Sequence, residues 1–133
     1  MKNNCVFCAI AAGEIPAFKI YEDERILSYL DINPFSRGHV LVITKNHYAN
    51  LIEIPDSELA NLSLAVKKIA AHVQSKLNCD GFNILQNNGE AAGQTVRHIH
   101  FHIVPRMNGQ PISFENRPGD MQLLKTLAEE LKL

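Results

Sequence analysis

The segment 97–106, RHIHFHIVPR, constrains the fold of this chain more than any other. It alternates histidines at positions 98, 100 and 102 with apolar residues. Because successive side chains of a strand point to opposite faces, the three imidazoles are expected to share one face and the intervening apolar side chains the other. The apolar face needs a cover, so the chain must supply an amphipathic element that packs against this strand.

Residues 56–77 are the expected cover. Apolar side chains recur there at three- and four-residue steps, which predicts a long amphipathic helix with Asp56 as its N-cap. A short helix is predicted before Gly13 and a last helix over about 120–131. Strands are predicted at 17–23, 25–32, 39–45, 81–87 and 98–106. The almost wholly apolar third strand is expected to be central and buried on both faces. This pattern predicts an α+β fold.

The bulk properties are typical of a globular protein of one domain, 1–133. The net charge of −1 over 133 residues gives no basic field of the kind that binds nucleic acid. No apolar run approaches the length of a membrane span, and the first ten residues lack a signal-peptide pattern. An odd number of cysteines, three, argues against a secreted disulfide scaffold. We therefore expect a cytoplasmic protein with neither a nucleic-acid nor a membrane partner.

The histidine row allows three interpretations from the residues alone. It could be a solvent-exposed polar face, although histidine is uncommon and three at alternating positions are improbable by chance. It could hold a metal, since two histidines at i and i+2 of a strand can both bind zinc. It could be catalytic, because imidazole titrates near neutrality and attacks phosphorus and acyl centres. The preceding loop, NNGEAAGQT at 87–95, offers glycines and neutral hydrogen-bond donors that suit an anion.

The segment HIHFHIV resembles the histidine triad, H-φ-H-φ-H-φ-φ, of the HIT superfamily of nucleotide hydrolases and transferases. The segments IPAFKIYEDERILSYLDINP, GHVLVITKNHYANL and NNGEAAGQTVRHIHFHIVPR are similar to its Hint branch, the histidine-triad nucleotide-binding proteins. The resemblance covers about residues 5–106. It implies a HIT-like fold with a five-stranded, mainly antiparallel sheet, one long central helix and short N- and C-terminal helices. Residues 107–133 form a C-terminal extension that departs from the shorter eukaryotic pattern, so the leaving-group preference stays open.

The resemblance implies a catalytic role for three histidines. His100 corresponds to the nucleophile, which attacks the α-phosphorus of a nucleoside 5′-monophosphate conjugate and forms a covalent nucleotidyl-histidine. His102 corresponds to the residue that binds the phosphate and helps to protonate the leaving group. The carbonyl of His98 would orient the His100 imidazole, and His39 would support the nucleophile.

The resemblance also implies a purine nucleotide site. Asp31 would accept hydrogen bonds from both ribose hydroxyls, which suits a carboxylate. Ile32, with Ile20 and Tyr29, would line an apolar slot for the base, although ordinary core packing explains these three residues equally well. The phosphate and leaving group would contact Asn87, Gln94, Thr95 and His102.

A structural zinc ion and a homodimer are further implications of the resemblance. Many bacterial members of the branch bind zinc through residues that correspond to Cys5, Cys8, His47 and His98. Two cysteines and two histidines suit tetrahedral zinc with no open position for water. A redox role for the C-x-x-C pair is the alternative, but the strand that leads into a thioredoxin-like motif is missing.

The expected function is therefore a phosphoramidase-like nucleotide hydrolase. Three alternatives remain at this point: hydrolysis of dinucleoside polyphosphates, a regulatory nucleotide-binding module, and a metallohydrolase with zinc on the triad itself. The third is the weakest, because Cys5, Cys8 and His47 offer zinc better ligands.

Overall fold

The computed structural model describes residues 4–133, so the first three residues of the expected domain lie outside the described part. It contains three α-helices and five strands, with β1–β3 in succession after α1 and β4 and β5 after α2, which confirms the α+β expectation. The helices are α1 (Val6–Ala11), α2 (Asp56–Leu77) and α3 (Met121–Leu131), and the strands are β1 (Lys19–Glu22), β2 (Ile26–Leu30), β3 (Val40–Thr44), β4 (Gly81–Leu85) and β5 (His100–Arg106). Among these described residues, no helix is both long and apolar enough to cross a membrane.

The strands form one antiparallel sheet in the order β1-β2-β3-β5-β4. Strand β3 is central and all five of its residues are buried, as its apolar sequence predicts. Its pairing with β5 places Ile43 opposite His100 and Leu41 opposite His102. Directly opposed residues of neighbouring strands share a face of the sheet, so these two histidines lie on the same face as Leu41 and Ile43.

The other face carries the main hydrophobic core. There Leu62, Val66 and Ile69 of α2 belong to one buried cluster with Ile99 and Ile103. The long helix is therefore the predicted cover of the apolar side of the histidine segment. Leu124, Leu127 and Leu131 of α3 belong to the same core. A second, smaller cluster joins α1 to the histidine face through Phe7, Ile10, Leu27, Tyr29, Leu41 and Ile43.

Two expectations about element ends are wrong. Pro55 occupies the N-cap of α2 without a side-chain cap, and Asp56 is the first helical residue. Its carboxylate still lies at the positive end of the helix dipole. Strand β5 begins at His100, because the N–H of Ile99 donates to the carbonyl of Tyr48 at 2.7 Å, outside the neighbouring strand β3. His98 thus precedes the strand, although its ring contacts Phe7 on the same side as that of His100.

The C-terminal extension is part of the packed structure. Asp120 caps α3 by accepting hydrogen bonds from the N–H groups of Gln122 and Leu123. Before this helix the chain runs along the loop between β2 and β3, where the N–H of Gly119 donates to the carbonyl of Ile32 at 2.8 Å. The segment around Gly119 therefore lies against the loop that holds the expected nucleotide residues.

Candidate active site

His100 is held in one tautomer. Its Nδ1 lies 2.7 Å from the carbonyl oxygen of His98, and its side chain is buried. A carbonyl oxygen only accepts, so the proton of the neutral ring is on Nδ1 and Nε2 keeps its lone pair. Burial lowers the pKa of His100, which keeps this lone pair available near neutral pH. The ring is arranged as a nucleophile.

His102 is held in the opposite tautomer by a short relay. The N–H of Phe35 donates to Nδ1 of His39 at 3.0 Å, so the neutral His39 ring carries its proton on Nε2. That Nε2 lies 2.9 Å from Nδ1 of His102, which accepts and therefore carries its own proton on Nε2. The ring centroids of His100 and His102 are 5.0 Å apart. A lone pair and an N–H donor thus stand on neighbouring imidazoles.

Burial keeps the relay histidines neutral. Desolvation, with the charge of neighbouring His102 as a second cause, lowers the pKa of His39 to about 3. Desolvation and the charge of His100 lower the pKa of His102 to about 4. Near pH 7 His102 is therefore a neutral hydrogen-bond donor and not a cation.

Two phenylalanines frame these rings. Phe7 of α1 stands edge-on to His100, with ring centroids 4.9 Å apart. Phe35 stacks on His39 at 4.8 Å and on His102 at 6.1 Å. Sequence reasoning missed both, and the available signals were weak. Phe7 lies inside the C-x-x-C pair, and Phe35 lies in the turn-rich loop before the buried strand β3.

Asp31 lies beside the relay. Its Oδ1 accepts from the N–H of Asn33 at 2.8 Å, and its Oδ2 is 3.7 Å from Nε2 of His39, longer than a hydrogen bond. Burial raises the pKa of Asp31. Asp31, His39 and His102 bring three possible ligand atoms within 4.8 Å of one another. They do not fit a metal, because His39 accepts an N–H on Nδ1 and must keep its proton on Nε2.

The expected base-slot residues fall on different sides of the sheet. Ile32 follows Asp31 on the surface and is 50% exposed. Tyr29 is buried in the cluster on the histidine face, where its ring lies 5.9 Å from that of Phe7. Ile20 is buried in the core under α2 and α3, on the opposite face. Ile20 is therefore a core residue, and ordinary packing is the correct explanation for it.

The loop before β5 is shaped by Gln94. The side-chain amide nitrogen of this buried residue donates to the carbonyls of Ala49 at 2.7 Å and Val96 at 2.9 Å. Its oxygen accepts from the N–H of Gly89 at 2.8 Å. Both amide protons are used inside the protein, so Gln94 has no side-chain donor left for a phosphate oxygen.

The two other expected phosphate residues keep accessible side chains in this loop. Thr95 is exposed, and Asn87 is partly buried. Gly93, between Asn87 and Thr95 along the chain, has a φ of +92°, a conformation that L side chains rarely adopt. The loop therefore presents Asn87 and Thr95 rather than Gln94.

Four side chains near α1 form a separate cluster of metal-ligand type. Cys5, Cys8, His47 and His98 bring their ligand atoms within 4.8 Å of one another. Cys8 Sγ lies 3.3 Å from Nδ1 of His47, and Cys5 Sγ lies 3.4 Å from Nδ1 of His98. Ligands of tetrahedral zinc lie about 3.4–3.8 Å apart. The spacing therefore fits a closed zinc site.

The tautomer of His98 also fits zinc. Its Nε2 lies 2.7 Å from the carbonyl of Thr44, so the proton is on Nε2 and the Nδ1 lone pair points to the cysteines. The backbone N–H of Cys8 donates to Cys5 Sγ at 3.3 Å. Unlike His39 in the cluster with Asp31 and His102, His98 offers its ligand nitrogen with a lone pair that can bind a metal.

Comparison with known proteins agrees with this geometry. The HIT domain family matches residues 12–109. The adenosine 5′-monophosphoramidase of Candida albicans is 40% identical over 136 residues, which cover 97% of this chain and 90% of that protein. The adenylylsulfatase of Arabidopsis thaliana is 47% identical over 106 residues, which cover 80% of this chain and 54% of that protein.

Two solved structures share the whole fold. A HIT-like protein from Bartonella henselae has a TM-score of 0.91 at 36% identity, covering 98% of this chain and 96% of that one. A zinc-bound histidine triad family protein from Mycobacterium smegmatis has a TM-score of 0.82 at 46% identity, covering 96% of this chain and 95% of that one. The chain belongs to the HIT domain family, in its Hint-like branch.

The buried neutral His39 makes stability depend on pH. Between about pH 6.5 and its folded pKa of about 3, the unfolded chain binds a proton on His39 that the folded chain does not. The free energy of unfolding therefore falls as the pH falls, by up to about 1.4 kcal/mol per pH unit for one such group. We expect urea denaturation between pH 6.5 and 4 to show that the free energy of unfolding depends less steeply on pH in His39→Gln than in wild type. Carboxylates titrate in both proteins, so identical slopes would contradict this assignment.

Proposed function

We propose that this HIT-family hydrolase cleaves purine nucleoside 5′-monophosphate conjugates at the α-phosphate, in the manner of a nucleoside phosphoramidase. One observation carries the proposal: the opposed tautomers of two adjacent rings. His100 offers a lone pair on Nε2, while His102 offers an N–H donor on Nε2. Attack on phosphorus needs the first group, and the negatively charged phosphate oxygens need the second. The activities for which the two relatives are named, monophosphoramidase and adenylylsulfatase, support the same class of substrate.

The proposed reaction has two displacements at phosphorus. In the first, Nε2 of His100 forms a bond to the α-phosphorus as the bond to the leaving group breaks. The imidazole becomes positively charged, and the carbonyl of His98 stabilises it by accepting from Nδ1–H at 2.7 Å. The leaving amine takes up one proton from solvent as it departs. In the second, water attacks the phosphorus and releases one proton to solvent, the phosphorus–nitrogen bond breaks and His100 regains its lone pair. His102 donates to a phosphate oxygen in both steps.

The nucleotide half would lie along the loop after β2. Asp31 uses Oδ1 for the N–H of Asn33, which leaves Oδ2 to accept from ribose hydroxyls. The half-exposed Ile32 offers an apolar contact for the base. Tyr29 is buried in the apolar cluster on the histidine face of the sheet. Asn87 and Thr95 supply polar groups on the phosphate side. Gln94 contributes to the site by fixing the loop that presents them.

His100→Ala tests the covalent mechanism. Because no other group replaces its lone pair, we expect release of AMP from an adenosine phosphoramidate to fall at least about 1,000-fold. AMP binding, measured by calorimetry, should stay close to the wild-type value. His72→Ala removes a histidine of α2 that bonds the Leu131 carbonyl and serves as the matched control.

The same assay separates the alternative functions. Wild-type and His100→Ala proteins are compared on an adenosine phosphoramidate, on adenylyl sulfate and on a dinucleoside polyphosphate. Preferred turnover of the dinucleoside polyphosphate would replace the phosphoramidase assignment. Tight AMP binding without turnover of any conjugate would favour a regulatory nucleotide-binding module. Undiminished turnover by His100→Ala would eliminate the covalent histidine.

We also propose that Cys5, Cys8, His47 and His98 bind a structural zinc ion. The donor spacing, the His98 tautomer and the zinc-bound relative from Mycobacterium smegmatis support this. Four protein ligands leave no position for a reactive water, so zinc would fix α1 to the residue before β5 and take no part in the displacement. The opposed triad tautomers argue against zinc on the triad itself.

Elemental analysis tests the zinc site. Wild-type protein from zinc-sufficient medium should contain about one zinc ion per chain, since the site has one set of four ligands. The double variant Cys5→Ser/Cys8→Ser should contain almost none. Cys79→Ser changes a buried cysteine outside the cluster and should keep the metal. Zinc retained in the double variant would show that these thiols are not its ligands.

We further propose a homodimer that joins two sheets at β4. This strand is at one end of the sheet order, and its Phe82 and Ile84 are 36% and 40% exposed. They border a groove of about 390 Å³ that α2 lines with Ser63, Ala70 and Ala71 among others. An edge strand with large apolar side chains invites pairing with another chain, and small helix residues let a partner approach closely.

Light scattering after size exclusion tests the dimer. Wild-type protein should have the mass of two chains, and Ile84→Arg should have the mass of one because it places a charge in the interface. Leu123→Arg alters an exposed apolar residue of α3, which packs against β1 and β2 at the other end of the sheet, and should stay dimeric. Dimeric Ile84→Arg protein would place the interface elsewhere.

We infer that the protein acts in the cytoplasm. The chain has an odd number of cysteines, three, which argues against a secreted disulfide scaffold. Zinc-binding thiolates stay reduced in that compartment.

A further inference from the structure

The C-terminal extension contacts the catalytic histidines through two aromatic rings. Phe114, in the middle of residues 107–120, stands edge-on to Phe35 with ring centroids 5.7 Å apart and an interplanar angle of 82°. Phe35 in turn stacks on both His39 and His102. One aromatic contact therefore separates the extension from the relay that sets the His102 tautomer.

Phe114 is itself held in place by β5. The guanidinium of Arg106 lies 5.0 Å from the centre of the Phe114 ring, a cation–π contact. Arg106 also donates from Nη2 to the carbonyl of Ser113 and from Nε to Oδ1 of Asn83, each at 2.8 Å. The ring is thus anchored to the last residue of the strand that carries the catalytic histidines.

Two hydrogen bonds attach the rest of the extension to the loop between β2 and β3. Asn116 Nδ2 donates to the carbonyl of Asn33 at 2.6 Å, and the N–H of Gly119 donates to the carbonyl of Ile32 at 2.8 Å. A Cβ atom on Gly119 would lie 2.8 Å from that carbonyl oxygen, so the close approach requires glycine. The extension therefore holds the loop at Ile32 and Asn33, just before Phe35.

We propose that Phe114 is a positioning residue for His102. Its ring fixes Phe35, and Phe35 fixes the relay in two ways: its ring stacks on both imidazoles, and its N–H donates to Nδ1 of His39. Loss of the Phe114 ring lets Phe35 and its N–H move. His102 then loses the partner that keeps its proton on Nε2, and the phosphate loses an aligned donor. This role in turnover rests on the proposed function, whereas the effect on the tautomer does not.

Phe114→Ala tests the proposal with two measurements. Side-chain ¹⁵N NMR of the free protein should show a single Nε2–H tautomer of His102 in wild type and a mixture in Phe114→Ala. On the adenosine phosphoramidate, kcat should fall about 3- to 10-fold, the range of one aromatic pair, with KM changed less than about twofold. Phe114→Tyr retains the ring and should restore both measurements.

Ile112→Ala is the matched control. Ile112 is 67% exposed and Phe114 is 51% exposed, so both variants remove a surface apolar side chain from the same segment. Ile112→Ala should keep the wild-type kcat and the wild-type His102 spectrum. An unchanged His102 spectrum in Phe114→Ala, or an equal change in Ile112→Ala, would overturn the proposal. If wild type hydrolyses no conjugate, the proposed function fails while the NMR comparison still decides the role of Phe114.

Discussion

The hydrogen bond from Nδ1 of His100 to the carbonyl of His98 is the interaction on which the site depends. It fixes the proton of one ring and thereby decides which nitrogen keeps the lone pair. The same residue, His98, places its own side chain among the two cysteines and His47, and donates from Nε2 to Thr44. A single residue therefore connects the proposed zinc ligands, the central strand and the proposed nucleophile.

Backbone groups outside β5 set the protons of the site. The carbonyl of Thr44 fixes the tautomer of His98. The N–H of Phe35 fixes the tautomer of His39 and, through His39, that of His102. A carbonyl leaves a lone pair at the far nitrogen of the ring, whereas an N–H leaves a proton there. Because His100 is set by a carbonyl and His102 by a relay that begins at an N–H, two chemically identical side chains acquire opposite roles.

The sequence predicted the features that depend on local periodicity. Alternation placed His100 and His102 on one face of β5, and the helical stripe identified α2 as the cover of the other face. The error at Asp56 arose because a carboxylate is common at both the N-cap and the next position, and Pro55 excludes neither. The resemblance to a known family supplied the candidate roles that periodicity does not.

Features that depend on contacts between distant segments were not predictable in this way. His98 lies before the strand because the N–H of Ile99 donates to the carbonyl of Tyr48, and Gln94 faces inward because the carbonyl of Ala49 accepts one of its amide protons. Phe35 is a site residue because its ring stacks on His102 of β5. Each of these contacts joins segments whose proximity is set by the whole sheet.

The relay also explains why His102 acts without a positive charge. A second proton on Nδ1 of His102 would face the N–H of His39 across 2.9 Å, so protonation would break the relay as well as place a charge in a buried site. Both effects lower the pKa of His102, which is about 4. In the proposed mechanism, a protonated His102 would oppose the positive charge that His100 gains on attack. A neutral donor would bind the phosphate without that repulsion, so the tautomer of His102 supports the chemistry proposed for its neighbour.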